Sequence, residues 1–237
     1  MINTEQTKTL ILDYGGTIDT NGVHWAAVIR MAYEALNIEL DEQNFRDAYV
    51  HGERCLATQR LVEPNHNFWH VLRLKAEAQT SLLVERNLLP PEQISIANKI
   101  ADWCYAYAQM GVNAARPVIK QLADTLPIAL VTNFYGNIAT VLEDFHLKSF
   151  FPLIVESATA GVRKPDPAIF SLAIKLAGCR PEEVCVVGDS YEKDIAPAHS
   201  IGCQTIWLRK QGWTEPSSTA TASLIISDFS ELANIWA

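Results

Sequence analysis

Polar side chains of the kinds that handle phosphate follow apolar runs or turns at four places in the sequence. A carboxylate can attack phosphorus, and a second carboxylate can help to hold Mg²⁺, while a hydroxyl and an ammonium group neutralise the other phosphate oxygens. A single carboxylate in such a place is equally well explained as a helix cap, but the whole set predicts phosphoryl chemistry. The residues are Asp13, Thr132 with Asn133, Lys164 in VRKPDP, and Asp189 in GDSYEKD.

Short apolar runs that end at polar or glycine residues predict the strands that position these groups. Helical patterns at 137–146 and 167–177 lie between the later runs, and the second has Asp166 as its predicted N-cap, Pro167 at its first position and Gly178 just past its end. This alternation predicts a Rossmann-like α/β core with a parallel sheet, in which ligands bind at the carboxyl ends of the strands. The predicted strands are 10–12, 128–131, 153–155, 184–187, 205–208 and 224–226.

The stretch between the first two predicted strands has a different pattern. Helical periodicity predicts helices at 23–37, 41–50, 65–87 and 91–110, with no convincing strand among them. The economical interpretation is an inserted α-helical cap at 20–114, with the α/β core formed by 1–19 and 115–237. A polar stretch at 217–222 is predicted to be a short loop.

Composition excludes several classes of protein. The chain has 237 residues, a net charge of −8 and 49% apolar residues, which is typical of a globular protein. Without a cluster of Lys and Arg, neither nucleic acid nor an anionic membrane is an expected partner. The five cysteines contain no C-x-x-C pair, so we expect reduced thiols and a cytoplasmic location. No apolar run is long enough to predict a signal peptide or a membrane span.

The same segments give the chain a resemblance to the haloacid dehalogenase (HAD) superfamily over nearly its whole length. LILDYGGT resembles the first family motif, LVTN the second, RKPDP the third and GDSYEKD the fourth, in the family's order and spacing. The inserted helices resemble the family's helical cap, which closes over the site and selects the substrate. The resemblance implies an Mg²⁺-dependent hydrolase, a phosphatase that acts on a small phosphorylated metabolite through an aspartyl-phosphate.

Carried over residue by residue, the resemblance assigns roles in phosphoryl transfer. Asp13 would be the nucleophile. Thr132 and Lys164 would bind the transferring group, and Asn133 would also contact the substrate.

The resemblance also implies a metal site. Asp13, the backbone carbonyl of Gly15 and Asp189 would hold Mg²⁺, and Asp194 would be a supporting acid that holds Lys164 or a metal-bound water. Family members that remove halide need no metal and lack the paired acids of the fourth motif. The presence of Asp189 and Asp194 therefore argues against that branch.

Position 15 departs from the pattern of the family's phosphatases, which carry there a second aspartate that protonates the leaving alcohol and then activates water. Glycine has no proton to give, and general acid–base catalysis is typically worth about 10²–10⁴-fold in rate. Asp19 and His24 are close enough in sequence to supply a substitute, although a turn residue and a helix residue are the simpler interpretations. Otherwise the substrate has a good leaving group, or the protein binds metal and phosphate with weak or lost turnover.

Two further patterns in the cap carry alternatives. Phosphonate-cleaving family members have a small residue at position 15 and use a cap lysine to form a Schiff base. Lys75 could have this role, although a surface residue of an amphipathic helix is the simpler interpretation. His66 and His70 have the i, i+4 spacing of a metal pair. Because no third ligand is evident, we expect them on a packed or solvated helix face.

Overall fold

A computed structural model describes residues 1–91, 95–210 and 222–236 of the chain. Residues 92–94 of the helix predicted at 91–110 and most of the loop predicted at 217–222 lie outside the described residues.

Every strand predicted from the sequence is confirmed, with ends that shift by at most one residue. The strands are β1 (Thr9–Leu12), β2 (Ile128–Thr132), β3 (Leu153–Glu156), β4 (Val184–Gly188), β5 (Gln204–Leu208) and β6 (Leu224–Ile226). They form one six-stranded sheet in the order β3-β2-β1-β4-β5-β6, and every pairing is parallel. The predicted Rossmann-like fold is therefore confirmed.

The position of β1 in the middle of the sheet brings distant segments of the sequence together. Leu12 pairs with Leu130 of β2 on one side and with Val187 of β4 on the other. Because all three strands are parallel, their carboxyl ends lie side by side at one edge of the sheet. Asp13, Thr132 and Asp189 are consequently neighbours although they are far apart in sequence.

Alternate residues of β1 face opposite sides of the sheet, as a pleated strand requires. Leu10 and Leu12 belong to a hydrophobic core that continues into the helices between β1 and β2. Ile11 packs on the other face, in a smaller core that includes Phe170. Burial on both faces explains why the strands appear in the sequence as uninterrupted apolar runs.

Among the described residues between β1 and β2, all the regular elements are helices. Asp41 and Asn67 accept backbone N–H groups at the starts of the second and third of them, as N-cap residues do. No described helix combines the length and apolar character needed to span a membrane. The helices are α1 (Trp25–Ala35), α2 (Glu42–Thr58), α3 (Phe68–Glu85), α4 (Ile96–Thr125), α5 (Ile138–Asp144), α6 (Ser157–Ala160), α7 (Ala168–Ala177) and α8 (Ala196–Ser200).

Two of the predicted helix ends are wrong, because α2 and α4 are longer than the sequence pattern indicates. The predicted ends at 50 and 110 precede Gly52 and Gly111, and α4 also contains Pro117. Glycine and proline disfavour a helix interior by about 1 and 3 kcal/mol. Burial of the apolar face of α4 along its whole length offsets these costs. The predicted boundary between cap and core at 114/115 falls inside this helix and stays a prediction.

Candidate active site

Asp13 and Lys164 form a buried ion pair at the carboxyl edge of the sheet. The Lys164 ammonium donates to Asp13 Oδ1 at 2.5 Å, to Asp194 Oδ1 at 2.6 Å and to the Val131 carbonyl at 3.1 Å. Burial alone would lower the pKa of Lys164, but the two carboxylates raise it above its ordinary value. The lysine is therefore a permanent cation beside the Asp13 carboxylate.

Asn133 fixes the backbone that carries Lys164. Its Oδ1 accepts the Lys164 N–H at 2.9 Å, and its Nδ2 donates to the Lys164 carbonyl at 2.9 Å. The peptide bond between Lys164 and Pro165 is cis. Asn133 also lines the cavity in front of Asp13, as do Thr132 and Lys164. The sequence prediction gave Asn133 a substrate contact only, and the structure adds this positioning of Lys164.

Three carboxylates converge beside the ion pair. Asp13, Asp189 and Asp194 each bring an oxygen to a common point, with all three oxygens within 4.8 Å of one another. Burial, and then the charges of Asp13 and Asp194, raise the pKa of Asp189 well above its ordinary value. Three acids thus face one ammonium group, and this excess of negative charge on hard oxygen donors fits a divalent cation such as Mg²⁺.

Asp194 links Lys164 to the turn that follows β4. Besides the contact with Lys164, its Oδ2 accepts the Ser190 N–H at 3.1 Å. Burial raises its pKa to about 6, with the Lys164 ammonium as the main opposing influence.

Thr17 is a site residue that the sequence reasoning left without a role. Its hydroxyl lies 3.1 Å from Asp13 Oδ2 and 3.2 Å from Asp189 Oδ1, and it accepts the Asp189 N–H at 3.0 Å. The hydroxyl can donate to one carboxylate at a time, so it links the two acids in either arrangement. Its position four residues after Asp13, in the turn that follows the strand, was the available sequence signal.

Gly15 and Gly16 differ in what they require. Gly16 has φ +94°, and a Cβ there would lie 2.4 Å from the Asp189 carboxylate, so only glycine fits. Gly15 has an ordinary backbone conformation, and a Cβ there would meet nothing within 4 Å. Gly15 also lines the cavity. Neither strain nor crowding thus demands glycine at position 15, and the space in front of it is open.

Asp19 lies in the turn after Asp13, in line with its simpler interpretation, but it is fully buried and lines the same cavity. It accepts the Gly16 N–H at 2.7 Å and the Trp25 indole N–H at 3.0 Å. Burial raises its pKa to about 7, although these two hydrogen bonds oppose the shift. Since both oxygens are engaged, Asp19 holds the turn after Asp13 in place.

The expectation that Lys75 is a surface lysine is wrong. Lys75 is only 8% exposed and lines the cavity in front of Asp13, which we call the catalytic cavity. Its ammonium lies 2.5 Å from Glu53 Oε1, and the Tyr135 hydroxyl donates to Glu53 Oε2 at 3.2 Å. Burial alone would lower the pKa of Lys75, but Glu53 raises it above its ordinary value. The pattern of α3 did not indicate this partner because Glu53 lies on α2, a separate helix.

The structure places the two histidines only partly as expected. His66 precedes α3 and so is not on a helix face, whereas His70 lies in the first turn of α3, and the two rings stack with centroids 5.1 Å apart. The one candidate metal cluster in the described residues is that of the three aspartates, and it includes neither histidine. In the core, the Tyr14 ring packs edge-on against Phe68 and Phe134.

The model of the haloacid dehalogenase-like hydrolase family matches residues 7–202 of this chain. The chain belongs to this family. The matched span includes Asp13, Thr132, Lys164, Asp189 and Asp194, so the resemblance stated from the four motifs is confirmed.

The chain is similar in sequence to curated relatives over part of their length. A phosphoserine phosphatase of Thermus thermophilus is 32% identical over 45% of this chain and 43% of the relative. The haloacid dehalogenase-like hydrolase domain-containing protein 3 of Xenopus laevis is 34% identical over 68% of this chain and 66% of the relative. In both cases the chain covers less than two thirds of the relative's length.

Solved structures confirm the fold. A crystal structure of a dehalogenase with an intermediate complex superimposes on this chain with a TM-score of 0.66 at 19% identity, covering 98% of each chain. At this identity the likeness concerns the fold alone.

Proposed function

We propose that the protein is an Mg²⁺-dependent phosphatase that transfers the phosphoryl group of a small phosphorylated molecule to Asp13 and then to water. The observation that carries this proposal is the Asp13 carboxylate itself. It lies at the end of β1 between the Lys164 ammonium, at 2.5 Å, and the acids Asp189 and Asp194, facing a cavity of about 150 Å³. Relatives with phosphatase names support the same reaction class.

The first half of the reaction forms a bond from an Asp13 oxygen to phosphorus and breaks the bond from phosphorus to the leaving oxygen. The Lys164 ammonium is placed to neutralise a phosphoryl oxygen beside Asp13. The Thr132 hydroxyl lines the same cavity and can donate to another. In the second half, water attacks the aspartyl-phosphate, which returns the Asp13 carboxylate and releases phosphate.

Asp13, Asp189 and the backbone carbonyl of Gly15 would hold Mg²⁺, and Asp194 would keep Lys164 in position beside them. When bound, the cation supplies neutralisation of negative charge on the phosphoryl group and on the acids. Without it, the three clustered acids outnumber the nearby ammonium group three to one.

The leaving group sets the kind of substrate. Gly15 supplies no acid, and both oxygens of Asp19 are held by donors. His24 lines the cavity, but its Nδ1 accepts the Ala26 N–H, and burial, followed by the charge of Lys193, lowers its pKa to about 4. We therefore propose substrates that need little protonation, such as phosphate anhydrides or esters with acidic leaving groups.

A second candidate function rests on the absent side chain at Gly15. A protein with this site would bind Mg²⁺ and a phosphate ligand with weak or lost turnover, because the missing acid and base are typically worth about 10²–10⁴-fold in rate. The third alternative, phosphonate cleavage through a Schiff base on Lys75, is disfavoured by the salt bridge with Glu53. That contact keeps the amine protonated, whereas a Schiff base needs a neutral amine.

The location and partners complete the proposal. All five cysteines are free thiols, and free thiols suit the cytoplasm. A small phosphorylated molecule is the proposed partner, with no role for nucleic acid or membrane.

The decisive experiment is a phosphatase panel with Mg²⁺ that includes acyl and aryl phosphates. Wild type is compared with Asp13→Asn and with the control Asp124→Asn, which changes an exposed aspartate of α4. We expect turnover by wild type and the control but not by Asp13→Asn. Equal activity in Asp13→Asn would refute the nucleophile. Background activity of wild type, together with stabilisation by Mg²⁺ and phosphate, would favour the binding protein.

A further inference from the structure

Four cationic side chains converge on a cleft beside the catalytic cavity. Arg54 belongs to α2 and Arg60 follows it, while Arg163 comes from a loop of the α/β core and Lys193 from the short helical segment Tyr191–Ile195. All four are exposed. In the described part of the chain, none of them forms a salt bridge with a carboxylate. We call these residues and the space between them the basic cleft.

The basic cleft is unusual for this protein, whose net charge is −8. Several other cations of the cap helices are paired with acids, as in Arg30 with Glu42 and Arg86 with Asp47. Cations that face one another without acids repel, and an anion bound among them removes the repulsion. A positive wall on an otherwise acidic surface also attracts anionic ligands to that place.

The basic cleft is continuous with the catalytic cavity. Lys193 lines both spaces, and so do Asn133 and Tyr135. Arg163 precedes Lys164 directly, and Lys193 precedes Asp194, so their Cα atoms lie about 3.8 Å from those of two catalytic-site residues. A ligand that reaches Asp13 through this side therefore passes the cations.

The volumes of the catalytic cavity and the basic cleft also indicate that a ligand extends from one into the other. The catalytic cavity has a volume of about 150 Å³, whereas the basic cleft has about 830 Å³. Pockets that enclose a whole drug-sized ligand measure roughly 300–1,000 Å³. The catalytic cavity thus suits a phosphoryl group with a few further atoms, and a larger leaving group must extend into the basic cleft.

Glu53 is the one carboxylate among the described residues that line the basic cleft. Its charge is offset by Lys75, whose ammonium lies 2.5 Å away. The cleft therefore keeps an excess of positive charge from Arg54, Arg60 and Arg163.

We propose that the basic cleft binds a second anionic group of the substrate, a phosphate or a carboxylate, while its first phosphoryl group lies at Asp13. This inference rests on the proposed function for the role of Asp13. It names the substrate class as small molecules with a transferable phosphoryl group and another negative charge at the far end.

The test measures binding, so that it does not depend on turnover. Asp13→Asn protein with Mg²⁺ is titrated calorimetrically with two matched pairs of ligands. Fructose 1,6-bisphosphate against fructose 6-phosphate reports a second phosphate, and 3-phosphoglycerate against glycerol 3-phosphate reports a carboxylate. We expect the doubly anionic member of at least one pair to bind about tenfold tighter or more, the effect of one charge-assisted hydrogen bond.

The variant Arg54→Gln/Arg60→Gln, in the same background, is expected to lose most of that preference while the singly anionic ligand binds within about twofold of its former affinity. The control Lys120→Gln/Lys175→Gln removes two exposed cations from α4 and α7, and we expect it to keep the preference. Arg163→Gln provides a second test if the double variant melts early.

Equal affinity within both pairs, or a preference that the arginine variants leave unchanged, would overturn the inference. Turnover of p-nitrophenyl phosphate is measured separately, with protein that keeps Asp13. Its absence would count against the phosphatase alone, since the affinity ratio is obtained without it.

Discussion

The backbone of Gly111 in α4 lies directly against the backbone of Asp19. A Cβ at Gly111 would stand 2.1 Å from the Asp19 carbonyl oxygen, far inside the contact distance of real atoms. Asp19 in turn accepts the Gly16 N–H at 2.7 Å. The long helix α4 thus supports the turn that follows the proposed nucleophile.

Gly111→Ala is expected to destabilise the protein by about 1–3 kcal/mol, a cost typical of overpacking. Helix propensity alone would favour alanine by about 1 kcal/mol, so the two effects have opposite signs. Denaturant unfolding measures the outcome. The control is Asn113→Ala, which changes an exposed residue on the same helix. A Gly111→Ala protein more stable than wild type would contradict the close approach.

Gly15→Asp is expected to raise phosphatase turnover by about 10²-fold, within the usual range for general acid–base catalysis. The structure leaves room for this side chain, because a Cβ at Gly15 meets nothing within 4 Å and the backbone conformation is ordinary. The measurement is kcat for an alkyl phosphate, whose poor leaving group needs protonation. Gly15→Asn matches the shape without the proton and should give no gain. An equal gain in kcat in both variants would show that the missing proton donor does not limit turnover in the wild-type protein.

Asp189→Asn is expected to raise the melting temperature in the absence of Mg²⁺ and to remove most of the stabilisation that Mg²⁺ provides. The pKa of Asp189 is raised first by burial and then by the charges of Asp13 and Asp194, so an amide relieves both. A gain of about 1 kcal/mol corresponds to about 2–4 °C for a chain of this size. Thermal melts with and without Mg²⁺ measure both effects. An unchanged response to Mg²⁺ would remove Asp189 from the metal site.

Lys75→Met is expected to destabilise the protein by about 1–2 kcal/mol, less than for a fully buried pair, because the Glu53 side chain that loses its cation is 37% exposed to water. Adding Glu53→Gln should recover much of the loss, since the neutral pair leaves no uncompensated charge. Chemical denaturation of wild type, the single variants and the double variant gives the coupling energy. Additive single effects would mean that the two side chains do not stabilise each other.

His24 is expected to make stability fall as pH decreases from about 6.5 to 4. Burial lowers its pKa to about 4 in the folded protein, so the unfolded chain takes up the proton first and unfolding is favoured over this window. A neutral Nδ1 is also needed to accept the Ala26 N–H at the start of α1. The loss is about 2 kcal/mol across the window.

His24→Asn keeps a capping side chain without the titration. Unfolding free energies at pH 7 and pH 4.5 should therefore differ less in this variant than in wild type. The same difference in both proteins would assign the acid sensitivity to other groups.

Local sequence was sufficient for the strands and for the residues at their ends. Val184–Gly188 is visible as an apolar run because both faces of the strand are buried, and Asp189 follows it directly. Helix ends were less predictable. α4 continues through Gly111 and Pro117 because packing against other elements, which a local pattern does not contain, offsets their unfavourable propensity.

The sequence by itself determined the strands, the helical insertion and the convergence of Asp13, Thr132 and Asp189, since these residues lie at the carboxyl ends of parallel strands, which share one edge. The tertiary structure alone decided which charged side chains are buried or clustered when their partners lie elsewhere in the chain. Lys75 is buried because Glu53 of another helix neutralises it. Arg60 and Arg163 face one cleft because cap and core meet there. The sequence around a charged residue does not indicate which distant residue will neutralise it. Burial and clustering of charged side chains therefore depend on the assembled fold.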